Sequence, residues 1–346
     1  MTKKTAPLMK TIGLKKYFNV ENGWKKLKST VKAVDNVNFS IFPGETLGLV
    51  GESGCGKSTV GRLLLRLLEP TEGEIYYQGR NIVELPAGEM RKLRKHMQIV
   101  FHDPYTSLNP RMTVGNIIAE PLKIFGYGGA SDIRERVMDL LSMVGLGLNH
   151  YDRYPHEFSG GQRQRAGIAR ALALHPKLVI CDEPVSALDV SIQPQIINLL
   201  KELQGKLSLT YVFIARGLNV VKHMSDRVGV MYLGKMMELA GGEKLYASPL
   251  HPYTRALLSA IPVPNPKYKK SRIILEGEIP SPINPPVGCR FHTRCPERME
   301  RCSIDEPEFM EVETGHWVAC HLLEEYMLNY GATVGDGSLV SHEIIL

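Results

Sequence analysis

The sequence has no uninterrupted apolar run of about eighteen residues, the minimum expected of a membrane-spanning helix. Residues 1–7, MTKKTAP, are not followed by the apolar stretch of a secretory signal. The charge balance is modest, with 42 basic and 36 acidic residues and a net charge of +6, so no strongly basic surface for nucleic acid is indicated. We therefore expect a cytoplasmic chain that binds no nucleic acid and reaches a membrane only through a partner.

Cysteine is scarce, and its placement matters more than its number. Six cysteines occur in 346 residues, and in a cytoplasmic chain they argue against a disulfide framework and for thiol or metal chemistry. Cys55 and Cys181 lie inside motifs described below, whereas the other four fall between residues 289 and 320. Those four contain no C-x2-C pair, the spacing that zinc sites usually have.

A phosphate-binding loop is present near the start of the chain. Residues 51–58 read GESGCGKS, the pattern G-x-x-x-x-G-K-S. An apolar stretch predicts a strand before it, and apolar residues at helical spacing predict a helix after it, over residues 60–68. Glycines let backbone N–H groups turn toward phosphates, and the helix start adds positive potential. We expect Lys57 to contact the β- and γ-phosphates and Ser58 to ligate Mg²⁺; an accidental glycine-rich turn is the alternative.

Predicted strands and helices alternate through the rest of the chain. Residues 9–18 and 34–41 are strand-like, and the polar, lysine-rich stretch 19–30 between them predicts an exposed loop. Residues 114–125 and 133–144 are predicted helices within an insertion of about residues 110–160. Seven of the 22 prolines lie between residues 262 and 286, which predicts an extended, irregular segment there.

Two further motifs carry polar side chains at the ends of predicted elements. Ser-Gly-Gly-Gln at 159–162 begins a predicted helix that runs to about residue 174, and its serine hydroxyl and open N–H groups could cradle an anion. Residues 177–183, KLVICDE, predict a buried strand that ends in two carboxylates. Together with the phosphate loop, they predict that Asp182 supports Mg²⁺ and Glu183 polarises an attacking water; a solvated pair of surface carboxylates is the alternative.

These motifs, followed by Ser-Ala-Leu-Asp at 186–189, occur in the order found in the nucleotide-binding subunit of an ATP-binding cassette (ABC) transporter, which the sequence therefore resembles. More narrowly, FHDPYTSLNPR at 101–111, HPYT at 251–254 and the cysteine-bearing tail resemble the ATPase subunits of dipeptide and oligopeptide importers. The resemblance covers about residues 8–321.

The resemblance implies an α/β fold, a P-loop ATP-binding cassette over residues 8–246 with a helical signature subdomain. A C-terminal cysteine-containing lobe would follow at 247–328, and a tail at 329–346. It also implies a head-to-tail pair of cassettes that sandwich two ATP molecules and act as a translocase at the cytoplasmic face of the inner membrane. The partners would be a second cassette subunit, expected to be a different chain in a heterodimer, two membrane permease subunits and, indirectly, an extracytoplasmic peptide-binding protein.

The resemblance also assigns roles residue by residue. Phe18, or Tyr17 beside it, would stack on adenine. The other residues expected at this chain's own ATP are Gly51, Ser53, Gly54, Cys55, Gly56, Lys57, Ser58, Thr59, His102 and Arg216. The signature segment, which would serve the partner's nucleotide, consists of Ser159, Gly160, Gly161 and Gln162, and the D-loop consists of Ser186, Ala187, Leu188 and Asp189. The catalytic carboxylates would be Glu183 and Asp182, with Mg²⁺ on Ser58 and Asp182. The stretch 104–111 and the helical insertion would face the membrane subunits.

Two positions depart from the family pattern. His102 stands where the family has a glutamine that contacts metal and water, and Arg216 stands where the switch has a histidine. Arginine only donates hydrogen bonds and stays charged, so it cannot relay a proton. Loss of such a group commonly costs about 10²–10⁴ in rate. We therefore expect an asymmetric pair, in which this chain's own site turns ATP over slowly; the alternative is that Glu183 suffices and both sites work.

The four tail cysteines, Cys289, Cys295, Cys302 and Cys320, could cage a [4Fe–4S] cluster, which the resemblance also favours. A zinc ion and unligated structural cysteines are the alternatives. A metal centre would stabilise a small lobe that has little core of its own. His292, His316 and His321 are near enough in sequence to be ligands, although solvent-facing histidines are commoner.

The preferred interpretation is an energy-coupling ATPase subunit of an importer for di- or oligopeptides. A soluble, non-transport cassette ATPase is an alternative from another class, but it would usually need two cassettes or a long coiled insertion, and the sequence has neither. A regulatory or scaffolding cassette subunit with vestigial hydrolysis is the other alternative.

Overall fold

The computed structural model of the protein describes residues 6–22, 27–262 and 272–324. Twelve strands occur in these ranges: β1 (Met9–Asn22), β2 (Leu27–Ile41), β3 (Thr46–Val50), β4 (Glu72–Tyr77), β5 (Arg80–Asn81), β6 (Met97–Val100), β7 (Leu178–Asp182), β8 (Thr210–Ile214), β9 (Arg227–Tyr232), β10 (Lys235–Gly241), β11 (Met310–Glu313) and β12 (His316–Val318). They form a four-stranded sheet of order β2-β1-β4-β5 and an eight-stranded sheet of order β11-β12-β10-β9-β3-β8-β7-β6.

Nine α-helices lie in the same ranges and cover the sheets. They are α1 (Lys57–Leu64), α2 (Ala87–Leu93), α3 (Val114–Ile124), α4 (Ala130–Met143), α5 (Gly160–Leu172), α6 (Gln193–Leu207), α7 (Leu218–Met224), α8 (Gly242–Ala247) and α9 (Pro252–Ser259). None of the helices in the described ranges is both long and apolar enough to cross a membrane.

The centre of the eight-stranded sheet is parallel, because β6, β7, β8, β3 and β9 all run in one direction. Every residue of β3, β7 and β8 is buried, as expected for parallel strands covered on both faces. Alternate side chains enter two hydrophobic clusters: Val179 and Cys181 pack on one side of the sheet, Leu178 and Ile180 on the other. The carboxyl ends of β3, β7 and β8 therefore meet at one edge, where the polar motifs begin.

The first hairpin differs from the sequence-based prediction. Residues 19–30 were predicted to be an exposed loop, but β1 continues to Asn22 and β2 begins at Leu27, with Asn19 opposite Thr30 and Val20 opposite Ser29. Residues 23–26 lie outside the described ranges. For residues 19–22 and 27–30 the prediction of a loop was wrong, because antiparallel pairing satisfies their backbone, and strand propensity depends strongly on such context.

The helical insertion matches the prediction closely. Thr113 caps α3 by accepting a hydrogen bond from the Asn116 N–H, and α3 and α4 bury an apolar face against the main core, including Ile118 and Leu141. The helix after the phosphate loop is shorter than predicted, because it ends at Leu64 and Arg66 takes the left-handed conformation with φ 48°. The backbone there turns toward β4, which pairs with β1.

The C-terminal part adds strands to the sheet of the cassette. Strand β12 pairs with β10 and with β11, so the eight-stranded sheet continues from the phosphate loop into the lobe. The described part of the proline-rich segment, residues 272–286, contains no helix or strand, as predicted; its first part, 263–271, lies outside the described ranges. Pro282 accepts a hydrogen bond from the Lys32 N–H (3.1 Å), which joins this segment to β2. The boundary at residue 247 stays a prediction.

Candidate functional site

The phosphate loop is a tight curl between β3 and α1 that only glycine can form at two points. Gly51 has φ 148° and Gly56 has φ 104°. A Cβ at Gly51 would lie 2.1 Å from the Met231 carbonyl oxygen, and one at Gly56 would lie 2.1 Å from the Ala33 carbonyl oxygen. Because backbone atoms cannot give way there, both glycines are required by the loop's contacts with β9 and β2.

Lys57 lies inside this curl. Its side chain is buried, and its ammonium group donates to the carbonyl oxygens of Gly51 (2.7 Å) and Glu52 (3.0 Å). The Cys55 thiol lies 3.6 Å from the same nitrogen, and burial raises the pKa of that thiol although Lys57 opposes the rise. A buried cation that the loop itself holds is suited to meet an incoming phosphate.

Hard oxygen ligands meet beside the loop. The Ser58 hydroxyl donates to Asp182 Oδ1 at 2.6 Å, and Asp182 is buried at the end of β7. A hydroxyl and a carboxylate at this separation are a donor set of the kind that Mg²⁺ takes, together with water and phosphate oxygens. These two residues would hold Mg²⁺, which when bound would neutralise phosphate charge.

Glu183 lies at the turn after β7, where its backbone is left-handed (φ 49°) and its N–H donates to the Ile214 carbonyl (3.0 Å). Arg216, just past the end of the adjacent β8, donates from Nε to Glu183 Oε2 at 2.8 Å. The Glu183 side chain is 11% exposed, whereas that of Arg216 is 64% exposed. The residue that departs from the family pattern thus forms an ion pair with the expected catalytic carboxylate.

These groups line a cavity of about 250 Å³. Its walls are formed by Ala33, Ser53, Gly54, Gly56, Lys57, Ser58, Thr59, Arg62, His102, Asp182, Glu183 and Arg216. Sequence reasoning missed Ala33 and Arg62. Arg62 could have been found, because it follows Ser58 by one helical turn; Ala33 comes from β2 and carries no local signal.

The two aromatic candidates are not among the residues that line this cavity. The Tyr17 hydroxyl donates to Asp35 Oδ1 at 2.6 Å, and burial together with this bond raises its pKa. The Phe18 ring lies under the Lys16 ammonium, 5.1 Å from its centroid. Adenine stacking by Phe18 or Tyr17 therefore stays a prediction.

The Ser159–Gln162 segment forms a capped helix start on another part of the surface. The Ser159 hydroxyl accepts from the Gln162 N–H (3.3 Å), and the Gln162 side chain accepts from the Ser159 N–H (2.9 Å). Ser159 and Gly160 are exposed. This reciprocal cap begins α5, and the exposed end of the helix at Ser159 and Gly160 is its positive end.

The D-loop packs against this helix start. A Cβ at Gly160 would lie 3.4 Å from a Leu188 methyl group, and one at Gly161 would lie 2.8 Å from Ile192. The Ser186 hydroxyl donates to the Glu183 carbonyl (3.0 Å). The D-loop, which is Ser186, Ala187, Leu188 and Asp189, therefore connects the carboxylate end of the cavity with the Ser159–Gln162 segment.

The four tail cysteines share one neighbourhood. The Cys289 N–H donates to the Cys302 carbonyl (2.9 Å). Burial, with a contribution from the Cys302 and Cys295 thiols, raises the pKa of Cys289 to about 11; burial, with contributions from all three other thiols, raises that of Cys320 to about 12. Across residues 6–22, 27–262 and 272–324, however, no group of three or more His, Cys, Asp or Glu is placed to hold a metal ion.

Two of the tail histidines are buried rather than solvent-facing. His316 contacts Glu238 Oε1 through Nε2 (2.7 Å), and Glu238 also accepts from the N–H groups of Leu250 and His251. His321 contacts Glu324 Oε2 (2.9 Å). Burial opposes ionisation of Glu238, but the hydrogen bonds led by that from His316 outweigh it, and its pKa is lowered. Sequence reasoning missed Glu238, which lies on β10 without any motif.

Comparison with solved structures defines the class of protein. The ATP-binding cassette MJ0796, solved as a dimer in a post-hydrolysis state bound to ADP and Pi, superposes with a TM-score of 0.59 at 31% identity, over 67% of this chain and 98% of that chain. CbiO1 from Clostridium perfringens, part of the ABC transporter complex cbiONQ, gives a TM-score of 0.60 at 27% identity, over 70% and 91%. The fold is that of an ABC cassette.

Sequence comparisons define the family. Residues 34–186 match the ABC transporter family, and residues 237–302 match the family described as oligopeptide/dipeptide transporter, C-terminal region. The oligopeptide transport ATP-binding protein AppF of Bacillus subtilis is 57% identical over 89% of this chain and 95% of its own length. The dipeptide transport ATP-binding protein DppF of Haemophilus influenzae is 50% identical over 92% and 97%. The chain belongs to the oligopeptide/dipeptide family of ABC transporter ATP-binding proteins.

Proposed function

We propose that this protein is the ATP-binding and ATP-hydrolysing subunit of an importer for di- or oligopeptides, bound peripherally at the cytoplasmic face of the membrane. The observation that carries the proposal is the convergence of Lys57, Ser58, Asp182 and Glu183 on one cavity at the carboxyl edge of the parallel sheet. The names of the two relatives supply the substrate class.

Each residue in the cavity has a definite task in this proposal. Lys57 would exchange its bonds to the loop carbonyls for bonds to phosphate oxygens, and Ser58 and Asp182 would hold Mg²⁺. Glu183 accepts a hydrogen bond from the attacking water and orients it. The phosphate loop N–H groups and the start of α1 stabilise negative charge on the phosphates, which costs no reorganisation because the loop is already curled.

In this proposal, the site built on this chain's own Lys57 and Glu183 hydrolyses ATP slowly. Arg216 forms an ion pair with the Glu183 carboxylate, and a carboxylate that is paired with a permanent cation orients water poorly. By contrast the Ser159–Gln162 segment is capped and open, so it can complete a site on a second, different cassette chain. The active heterodimer would therefore place most hydrolysis at the partner's phosphate loop.

Two membrane permease subunits are the proposed docking partners, with an extracytoplasmic peptide-binding protein reached through them. Large apolar side chains lie exposed on and beside the helical insertion, with Tyr105 63% and Ile124 55% exposed. An interaction surface is where large apolar side chains of this kind would be covered. The stretch 104–111 and helices α3 and α4 are therefore the proposed coupling surface.

Purification of the assembled transporter tests the proposal. The chain should co-purify with two membrane subunits and a second cassette, and peptide should stimulate ATPase activity in the assembly. Replacing Glu183→Gln here should lower that activity by less than about threefold, whereas the matching change in the partner should lower it by about 10² or more. Equal losses would remove the asymmetry, and a chain found without membrane subunits would contradict import.

For the lobe we propose a [4Fe–4S] cluster on Cys289, Cys295, Cys302 and Cys320. The cluster takes four cysteine thiolates, and the hydrogen bond from the Cys289 N–H to the Cys302 carbonyl (2.9 Å) brings two of the four cysteines together. Because the described residues contain no group already placed to hold a metal, the thiols would have to approach one another when the cluster binds. The absorption spectrum and iron and sulfide content of anaerobically purified protein test this. Brown protein with visible absorbance supports the cluster, and colourless protein with stoichiometric zinc contradicts it.

A further inference from the structure

The lobe segment between Cys289 and Cys295 reaches the phosphate loop. Arg294 lies next to Cys295, and its Nη1 donates to Glu52 Oε2 at 2.8 Å across 242 residues of sequence. The Arg294 side chain is 9% exposed and that of Glu52 is 23% exposed, so this ion pair is shielded more than most surface pairs. Glu52 is the second residue of the phosphate loop.

The backbone of Glu52 is held from the same side. Its N–H donates to the Tyr253 hydroxyl at 3.1 Å. The Tyr253 ring packs against Tyr232 (4.9 Å between centroids) and against Phe291 of the lobe (5.2 Å), and all three rings are fully buried. Phe291 thus helps to fix the position of the Tyr253 hydroxyl, which accepts the hydrogen bond from the Glu52 N–H, because a packed aromatic cluster fixes ring positions.

A second arginine of the same segment contacts β2, the strand that supplies Ala33 to the cavity wall. Arg290 pairs with Asp35 of β2, the residue that accepts the Tyr17 hydroxyl. Asp35 also forms an ion pair with Lys235, with 3.6 Å between the Lys235 ammonium nitrogen and Asp35 Oδ2. The lobe therefore contacts both the phosphate loop and β2, whose Asp35 in turn holds the hydroxyl of the candidate adenine aromatic Tyr17 on β1.

These contacts matter most when Lys57 leaves the loop. The Glu52 carbonyl accepts a hydrogen bond from Lys57, and this bond is lost when Lys57 turns to phosphates. The remaining contacts of Glu52 with the lobe side are the Tyr253 hydroxyl and Arg294. Without Arg294, moreover, an unneutralised carboxylate would stand in a loop that has to accept a polyanion, and repulsion grows with the charge of the ligand.

We propose that Arg294 and Tyr253 are positioning residues of the ATP site, through which the cysteine-bearing lobe holds the phosphate loop in shape and neutralises Glu52. The inference rests on the proposed ATP site. It extends that site to a region that lies outside the cassette motifs and predicts that the lobe sets the affinity for ATP.

Equilibrium binding of ATP and of ADP to the purified full-length chain tests this. Arg294→Ala should raise the dissociation constant for ATP about tenfold, and that for ADP less, because ADP carries less charge. The double variant Glu52→Gln with Arg294→Ala should bind ATP within about twofold of wild type, since no carboxylate is left to repel phosphate. Such a rescue is not expected from a merely structural arginine. Arg294→Lys, which keeps the charge, should lie between wild type and Arg294→Ala.

Two matched controls separate local effects from lost stability. Arg301→Ala removes another lobe arginine, which pairs with Glu324 (3.2 Å), and should leave ATP affinity unchanged. Tyr253→Phe should weaken ATP binding about threefold by leaving the Glu52 N–H unpaired. Tyr211→Phe removes another buried hydroxyl, bonded to the Leu200 carbonyl, and should lower the unfolding temperature without changing affinity.

The inference is overturned if Arg294→Ala binds ATP within twofold of wild type, or if the double variant binds no better than Arg294→Ala. Should Arg294→Ala fail to fold, the dissociation constants for ATP of Arg294→Lys, of Glu52→Gln and of the wild type are compared instead. Weaker binding by Arg294→Lys than by wild type, with no loss in Glu52→Gln, supports the inference, and wild-type binding by Arg294→Lys overturns it. If the wild type binds no ATP, and Lys57→Ala is no weaker, then the proposed ATP site fails, which is a different outcome.

Discussion

Two surfaces of this chain are proposed to bind the phosphates of a nucleotide, and they differ in which side chains lie against them. In the cavity at Lys57, the expected catalytic carboxylate Glu183 is already paired with Arg216. At the start of α5, Ser159 and Gly160 are exposed and the helix end is open. In the proposed function, this chain thus keeps intact the half-site that it offers to a partner, while its own half-site is altered.

The largest expected effect is at the open surface. Gly160→Asp would put a carboxylate where the partner's phosphates are proposed to lie, and the ATPase activity of the assembled transporter should fall by about 10²–10³-fold. The fold should survive, because an acidic residue is favourable at a helix start. Steady-state ATPase assays measure this. Gly205→Asp, at an exposed glycine of α6, is the matched control; an equal loss in both variants would contradict the assignment.

Acid should lower the free energy of unfolding through His251, which lies beside Tyr253 behind the phosphate loop, and not through the Ser159–Gln162 segment. Burial, opposed by Glu238 and assisted by Arg255, lowers the pKa of His251 to about 4 from 6.5, so the unfolded chain takes up the proton first. Its contribution of up to about 3 kcal/mol is present above pH 6.5 and is lost as the pH falls to 4. The protonated ring could no longer accept the Tyr253 N–H (3.0 Å).

Denaturant unfolding between pH 7 and pH 4 measures this loss. His251→Gln cannot titrate and should show a shallower decline than wild type. His223→Gln replaces an exposed histidine and should retain the wild-type decline. A His251→Gln profile parallel to wild type would show that another group accounts for the acid sensitivity.

Arg216→His tests the altered half directly. Freeing Glu183 from a permanent cation should raise hydrolysis at this chain's own site about tenfold, less than the 10²–10⁴ of a full catalytic group, because His102 still departs from the family pattern. The assay uses the assembled transporter with the partner's phosphate-loop lysine replaced. Arg216→Lys keeps a cation and should give no gain. If Arg216→His is as slow as wild type, the ion pair does not limit this site.

The smallest expected effect separates the two tasks of Ser159. Ser159→Ala removes the cap of α5 and should cost about 1 kcal/mol of unfolding free energy. Thr113→Ala removes the cap of α3 and should cost about the same. Thermal unfolding measures both, but only Ser159→Ala should also lower transporter ATPase activity. Unchanged ATPase in Ser159→Ala would mean that the serine serves only as a cap.

The sequence predicted what depends on local pattern. The phosphate loop, the strand to Asp182 and the two insertion helices follow from glycine spacing, apolar runs and periodicity, and the structure has them at nearly the predicted bounds. The polar strand ends at residues 19–22 and 27–30 were missed, because their backbone partners lie on the other strand of a hairpin. Within the site, Ser58 contacts Asp182 as expected, since β3 and β7 flank β8 and the carboxyl ends of these parallel strands meet at one edge of the sheet.

Contacts between distant segments could not be predicted. Nothing in the sequence near Arg294 points to Glu52, and nothing near Glu238 points to His316, because each pair depends on how the lobe packs on the cassette. The pairing of Arg216 with Glu183 was also not predicted, although the adjacent ends of β7 and β8 would have allowed it. Sequence patterns thus predicted the residue types of the site, whereas the ion pairs that those residues form depend on tertiary packing.

The continuous eight-stranded sheet makes the two parts of this chain hard to separate. Strand β12 covers one edge of β10, and the buried side chains of β10 pack in the same cores as the phosphate-loop strand. A chain cut before β11 would lack β12, so β10 would become the edge strand of the sheet. Its unpaired backbone N–H and C=O groups could then pair with another copy of the chain. Truncation should therefore give a self-associating protein, so the minimal folding unit extends at least to Val318.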